Sequence, residues 1–198
     1  MAATRQRAHF TIPGLNEQAS AKTVTLLQER LVALIDLQLT LKHVHWNVVG
    51  PTFIGVHLML DPQVEAVQDM VDATAERIAT MGASPNGLAG NLVEQRSWDD
   101  YALGRATVMQ HLGGLDMAYA GVVAGHRRAI AKLDDLDLVT QDLVIEQSEQ
   151  LEQFHWFVRA HLENADGVLL TEGAKDETAA ARQAAKAEPG RVVSGSRS

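Results

Sequence analysis

The sequence predicts an all-α protein: a four-helix bundle with a long connection between its second and third helices. Apolar residues recur with helical spacing over four segments, and few segments alternate with the two-residue period of a β-strand. Each segment is about 28 residues long, well above the mean of roughly 11–12 residues for a globular helix. Helices of this length pack side by side at shallow angles, as in an up-and-down bundle.

The first two helices are predicted from periodicity and stop signals. The first begins at Ser20, and Gly50 followed by Pro51 ends it. The second covers roughly residues 53–81. Pro62 lies inside it and removes one backbone hydrogen bond, but the apolar period continues on both sides. A tolerated kink is therefore expected rather than a new helix start.

The connection after the second helix covers residues 82–97, which is long enough to cross the length of a bundle and to hold a short helix. Ser97 resembles an N-cap with acidic residues in the first turn after it, so the third helix is predicted from there to about Leu133. The fourth helix is predicted to end near Asn164.

Three regions follow from these boundaries: an N-terminal arm of residues 1–19, the bundle of residues 20–166, and a C-terminal tail of residues 167–198. The tail shifts to small and charged residues. Such a composition is typical of a segment that buries no core, so a flexible, mildly basic tail is expected.

The residue inventory limits the chemistry. There are no cysteines, which excludes disulfides, thiolate metal sites and cysteine nucleophiles. A metal site in this chain must therefore use His, Asp and Glu. Apolar runs are too short to cross a bilayer, and the N-terminal segment lacks the apolar stretch of a secretory signal, so a cytoplasmic location is expected.

The net charge of −8 is unevenly distributed. Residues 11–180 hold eleven bases and twenty-four acids, which argues against a nucleic-acid-binding core. Both ends of the chain are mildly basic. The candidate DNA contacts are therefore Arg5, Arg7, Arg182, Lys186, Arg191 and Arg197.

The second helix carries an acidic stripe with one imidazole, and on a helical wheel its members share one face over five turns: His57, Asp61, Glu65, Asp69, Asp72 and Glu76. Considered alone, such a stripe is most simply a solvated face. However, His57 and Asp61 are spaced i, i+4, as a chelating pair requires, and Asp72 and Glu76 repeat this spacing with two carboxylates. Imidazole and carboxylate together suit Fe(II), Zn or Mn.

A di-iron site within one bundle requires Glu-x-x-His on each of two helices. This chain contains that motif once, at Glu152 and His155. Such a site therefore cannot be assembled inside one chain, and His155 is expected to be structural. If iron binds, its ligands come from more than one subunit.

Two segments resemble the signature of the Dps proteins, the mini-ferritins named for DNA protection during starvation. They are His45-Trp46-Asn47 and the segment from Gly50 to Asp61 that includes His57. Asp72-x-x-x-Glu76-Arg77 and Phe154-x-Trp156-Phe157 are also similar to that family. The resemblance covers roughly residues 10–165; a departure is Leu58, where many members have Glu.

The resemblance implies a ferritin-like bundle and a tetrahedral shell of twelve subunits with ferroxidase sites at two-fold interfaces. On that pattern, Asp72 and Glu76 of one subunit face His45, His57 and Asp61 of its partner. The implied function is oxidation of Fe(II) by hydrogen peroxide or dioxygen, storage of ferric iron, and protection of DNA from oxidative damage. The alternative is a nucleoid shell that compacts DNA through its basic tails.

Other residues keep two interpretations. Trp46 is expected in the core, and the resemblance places it near the iron. His43 is expected at the surface or in packing. Four acidic residues lie at or near the turn between the third and fourth helices: Asp134, Asp135, Asp137 and Asp142. They are either helix-capping and loop residues or, as the resemblance to the family implies, residues that line three-fold pores.

Overall fold

The computed structural model describes residues 12–186 and confirms the all-α class. Within that range the chain forms six helices and one short parallel strand pair. The helices are α1 (Glu17–Asn47), α2 (Phe53–Thr80), α3 (Ala89–Gln95), α4 (Val108–Leu133), α5 (Leu138–Leu162) and α6 (Glu177–Ala185), and the strands are β1 (Val48–Val49) and β2 (Ala106–Thr107). No helix in this part of the chain is both long and apolar enough to span a bilayer.

The first two helices are close to their predicted bounds. α1 begins three residues before Ser20, because the side chain of Asn16 accepts a hydrogen bond from the Ala19 amide at 2.8 Å and caps the helix there. α2 continues through Pro62 without interruption. The tolerated proline was thus predicted correctly.

The predicted start of the third helix at Ser97 is wrong. α4 begins at Val108, where Thr107 and Gln110 form a capping box. The segment before it is instead held against α1 by Asp36, which accepts hydrogen bonds from Trp98 Nε1 at 2.6 Å and from the Arg96 guanidinium at 3.2 Å. These contacts across the fold override the local helix-start signal.

The connection crosses the bundle, as predicted. β1 directly follows α1, and Val48 pairs with Ala106 of β2, just before α4. Because α2 runs away from that end, residues 81–105 must return along the full length of the bundle to reach it. The predicted short helix in the connection is α3.

The core lies between the four long helices in two clusters. Its largest fully buried side chains include Leu27, Leu31, Leu34, Leu41, Leu60, Leu112, Leu115, Tyr119 and Leu133. Burying one such side chain contributes about 1.5–3 kcal/mol. Polar side chains also lie inside the bundle, where Gln147 donates a hydrogen bond to Thr74 at 3.0 Å.

The C-terminal segment corrects the prediction that residues 167–198 bury nothing. α6 packs on α4 through small residues, and Ala180, Ala181, Ala184 and Ala185 are buried. A Cβ atom at Gly113 would lie 2.7 Å from the Ala180 carbonyl oxygen, so glycine permits the close approach of the two backbones. Close backbone packing replaces the large side chains that the sequence lacks here. Residues 187–198 of the expected tail, like 1–11 of the expected arm, lie outside the described residues.

Candidate metal centre

Three predicted ligands converge where α1 ends and α2 begins. His45 is in the last turn of α1, and the chain reverses through Gly50, whose φ of 116° few other residues adopt. His57 and Asp61 lie one turn apart on α2 and therefore share a face. One potential ligand atom from each of the three residues lies within 4.8 Å of the other two.

The His45 imidazole lies against the Asp61 carboxylate. Nε2 of His45 lies 3.0 Å from Oδ1 of Asp61. Yet both ring nitrogens are buried and neither has a hydrogen-bond partner among the described residues. Buried polar atoms are normally paired. Nε2 of His45 and Oδ1 of Asp61 face each other at a distance that a cation bound to both atoms could bridge.

The second imidazole is oriented by the backbone. Nδ1 of His57 donates a hydrogen bond to the His45 carbonyl oxygen at 3.0 Å, which leaves Nε2 as the nitrogen with a free lone pair. The two rings are stacked, with centroids 3.7 Å apart and planes inclined by 27°. Both imidazoles are therefore held in place before any ligand arrives.

A lysine that sequence reasoning missed lies in the same group. Lys42 Nζ donates a hydrogen bond of 3.1 Å to Oδ1 of Asp61, the oxygen that faces His45. This bond is the main cause that lowers the pKa of Asp61 below its usual value, and the proximity of His45 contributes further. The carboxylate is therefore ionised at neutral pH. The available signal was that Lys42 precedes His45 by three residues and so shares its helix face.

The other two predicted ligands are not brought to this group. Asp72 and Glu76 are exposed on α2, eleven and fifteen residues beyond Asp61. At a rise of 1.5 Å per residue, they lie about 16 and 22 Å along the helix axis. Arg77 does not neutralise them, because its guanidinium is paired with Asp137 at 2.7 Å. In one chain, then, the candidate centre has three ligands.

Apolar side chains surround the group without being covered. Trp46 is 71% exposed, Leu58 is 59% exposed and Ile54 is 52% exposed. The expectation that Trp46 packs in the core is wrong: it follows His45 in the last turn of α1, and its indole points away from the bundle. Water-exposed apolar surface beside a partial ligand set is typical of an interaction site.

The predicted pore acids divide into two classes. Asp134, Asp135 and Asp142 are exposed. Asp137 is half-buried: although burial acts in the opposite sense, hydrogen bonds from Thr140 and Arg77 bring its pKa below the usual value. The Asp137 carboxylate links α2 to the start of α5, and a pore role for these acids stays a prediction.

His155 and His43 are engaged within the fold. His155 Nε2 lies 2.7 Å from Oδ1 of Asp116, whose other oxygen accepts a hydrogen bond from Thr171 at 2.6 Å. His43 donates to the Leu103 carbonyl oxygen at 2.7 Å. Both are structural here, as predicted.

Of the six candidate DNA contacts, Arg182 and Lys186 are exposed on or just after α6. The other four lie outside the described residues: Arg5, Arg7, Arg191 and Arg197.

Comparison with known proteins agrees with this architecture. The profile of the ferritin-like domain family matches residues 24–168. The chain is 55% identical over 175 residues to the DNA protection during starvation protein of Mycolicibacterium smegmatis, covering 88% of this chain and 96% of that one. A solved structure of Mycobacterium smegmatis Dps superposes with a TM-score of 0.83 at 54% identity, covering 87% of this chain and 97% of that one.

Another relative carries a different name. The fine tangled pili major subunit of Haemophilus ducreyi is 48% identical over 162 residues, which cover 82% of this chain and 86% of that protein. Similarity at this level establishes ancestry and fold. The names of these two relatives differ, whereas each is similar to this chain over more than four fifths of its length. The chain belongs to the ferritin-like superfamily and, within it, to the Dps family.

Proposed function

We propose that this protein is a ferroxidase whose iron site is completed by two subunits. His45, His57 and Asp61 of one chain and Asp72 and Glu76 of another are the proposed ligands. The observation that carries the proposal is the incomplete group of His45, His57 and Asp61, with the buried, unpaired ring nitrogens of His45 and the ionised carboxylate of Asp61. Asp72 and Glu76 repeat the chelating spacing about 16–22 Å away, too far to serve the same group within one chain.

Fe(II) is the substrate in this proposal. Neutral imidazoles and carboxylates form a mixed nitrogen and oxygen site of the kind that suits this ion. Each Fe(II) gives up one electron, so two Fe(II) reduce one hydrogen peroxide to two waters with the uptake of two protons. Dioxygen is the alternative oxidant. Hard carboxylate oxygens favour the ferric product, and consuming peroxide together with Fe(II) suppresses formation of hydroxyl radicals.

Pairing of subunits follows from the surface around the group. Covering the exposed indole of Trp46 and the neighbouring apolar side chains stabilises a two-chain interface. A two-fold axis makes every contact twice, so one pair of chains contains two equivalent sites. Six such pairs form a hollow dodecamer that stores ferric iron in the cytoplasm and protects DNA, the role after which the Mycolicibacterium smegmatis relative is named.

The test compares two double variants on the same helix. His57→Ala with Asp61→Ala removes two proposed ligands, whereas Glu65→Ala with Asp69→Ala removes two acids of the same stripe to which no role is assigned. After addition of Fe(II) and peroxide, ferric absorbance should rise at the wild-type rate in the second variant and at least tenfold more slowly in the first. Equal rates in the first variant and the wild type contradict the assignment, and equal losses in both favour a general acidic face.

DNA binding through basic tails is the second proposed function. Arg182 and Lys186 are exposed on the C-terminal helix, so bases are available at the surface of each subunit. Twelve copies on one shell multiply weak phosphate contacts into avid, salt-sensitive binding. A nucleoid-associated location follows if this binding occurs.

A further inference from the structure

A cavity of about 510 Å³ lies between α1 and α4, outside the candidate metal centre. The segment before α4 and the start of α6 close it on the other sides. Its walls include Leu37, Met117 and Val122, and polar groups converge at its two ends. The volume is in the range of cavities that bind small molecules, roughly 300–1,000 Å³.

One end of this cavity holds two guanidinium groups. Arg30 on α1 is half-buried, and Arg128 lies on the facing turn of α4. Gly125 makes room for the first: a Cβ atom at that position would overlap with Nη1 of Arg30. The guanidinium thus lies directly against the backbone of α4, and a side chain at position 125 would shift it from this place.

The Arg30 guanidinium is left without a partner in the part of the chain that the structure describes. Within residues 12–186 it makes no hydrogen bond and no ion pair, whereas Arg77, Arg96 and Arg127 are each paired with a carboxylate. Burial lowers the pKa of Arg30, Glu29 opposes this shift, and Arg128 adds to it. A half-buried guanidinium has lost part of its hydration, and its five donors gain no acceptor in return.

The opposite end of the cavity orients a ligand. Asp36 is occupied by Arg96 and Trp98 and is unavailable to a new cation. Asp99, Asp100 and Asp176 are exposed on the same lining, and Glu177 is partly buried there. An anion is therefore repelled from this end of the cavity and attracted to the arginines at the other end. Arg30 and Asp36 are six residues apart on α1, so the two ends are about 9 Å apart along the helix axis.

We infer that this cavity binds a small organic anion, with its carboxylate or phosphate group on Arg30 and Arg128 and its apolar body against Leu37, Met117 and Val122. A planar guanidinium recognises either head group with two parallel hydrogen bonds. An anion between the two arginines also removes their mutual repulsion. The apolar walls require a body of a few carbon atoms behind the head group.

Isothermal titration calorimetry on the assembled protein at low ionic strength tests this site with three probes. Hexanoate and hexyl phosphate present the two head groups on one body, and 1-hexanol presents the body without charge. Saturable binding of at least one anion, with 1-hexanol much weaker, is the expected result, and the tighter anion identifies the head group. Absence of saturable binding by both anions, or equal binding of 1-hexanol, overturns the inference.

Matched variants locate the binding. Arg30→Gln and Arg128→Gln should each weaken the tighter anion by about tenfold, since a hydrogen bond to a charged group is lost. Arg127→Gln removes a charge from the same helix outside the cavity and should leave the affinity unchanged. Thermal unfolding checks that all three variants are folded. Retained affinity in both cavity variants, or equal loss in Arg127→Gln, overturns the assignment whatever the fate of iron oxidation.

Discussion

The ammonium group of Lys42 lies 3.1 Å from the carboxylate oxygen of Asp61 that also faces Nε2 of His45. The ammonium group of Lys42 thus lies directly beside the site proposed for Fe(II). Because Lys42 and Asp61 are about one-third and two-fifths exposed, their pairing contributes little to stability. The lysine holds the carboxylate ionised and aligned, and it competes with a divalent cation for the same oxygen.

Lys42→Gln should therefore bind divalent cations more tightly. Removing one positive charge beside the centre reduces repulsion, and an increase in affinity of about threefold to tenfold is expected. Anaerobic titration with Fe(II) measures it directly. Lys22→Gln, an exposed lysine on the same helix, is the control and should match the wild type. Weaker binding in Lys42→Gln than in the control contradicts competition by this lysine.

Mixing two inactive variants should restore activity if the centre is shared between chains. One variant carries His57→Ala and Asp61→Ala, and the other carries Asp72→Ala and Glu76→Ala. Random pairing makes half of the pairs mixed, and each mixed pair has one intact site of two, so about a quarter of the wild-type ferroxidase rate is expected. Each variant assembled alone should be inactive. A mixture without activity, although both chains co-assemble, contradicts a shared centre.

The close approach of α6 to α4 predicts opposite effects for two glycines of one helix. Gly113→Ala places a Cβ atom 2.7 Å from the Ala180 carbonyl oxygen and should cost about 1–3 kcal/mol. Gly121→Ala meets nothing within 4 Å and should stabilise the helix by about 0.5–1 kcal/mol. Thermal unfolding of both variants and the wild type measures the two shifts. Equal shifts would show that α6 does not depend on Gly113.

Acid should destabilise the fold partly through His126. Burial lowers its pKa from 6.5 to about 4. In the unfolded chain His126 therefore takes up a proton near pH 6.5, whereas in the folded chain it takes up this proton only near pH 4. Between these values the unfolded state binds more protons, so stability falls as the pH falls. The full effect is on the order of 3 kcal/mol at pH 4.

His126→Gln should flatten this dependence. The melting temperature of the variant, plotted from pH 7 to pH 4, should fall less steeply than that of the wild type. His161→Gln, at an exposed position of α5, is the control and should retain the wild-type slope. An unchanged slope in His126→Gln would show that this imidazole is protonated equally in both states.

Removal of residues 187–198 tests DNA binding without disturbing α6, which ends at Ala185. The truncation deletes Arg191 and Arg197, and retardation of DNA in a gel at low salt should weaken because each subunit loses two phosphate contacts. Arg182→Gln with Lys186→Gln in the full chain distinguishes bases on the helix from those after it. Retardation as strong in both proteins as in the wild type contradicts binding through the C-terminal bases.

The spacing of apolar residues was sufficient to predict much of the fold, because the four long helices are strongly periodic. It failed where contacts distant in sequence decide the local structure. Ser97 and the acids after it form a good helix start, but Asp36, sixty residues earlier, binds this segment in another conformation. The alanines of α6 have no marked hydropathy and become a packing surface only because Gly113 lies opposite them.

For the candidate centre, the i, i+4 relation of His57 and Asp61 on one helix was readable from the chain alone, because a helix places such residues on one face. The approach of His45 and Lys42 to that pair required the turn between α1 and α2, and the outward direction of Trp46 required the finished bundle. Spacing within a helix is local geometry, whereas the meeting of two helices depends on which side chains the core buries. That burial is a property of the whole fold, and it alone decided which predicted ligands meet within one chain.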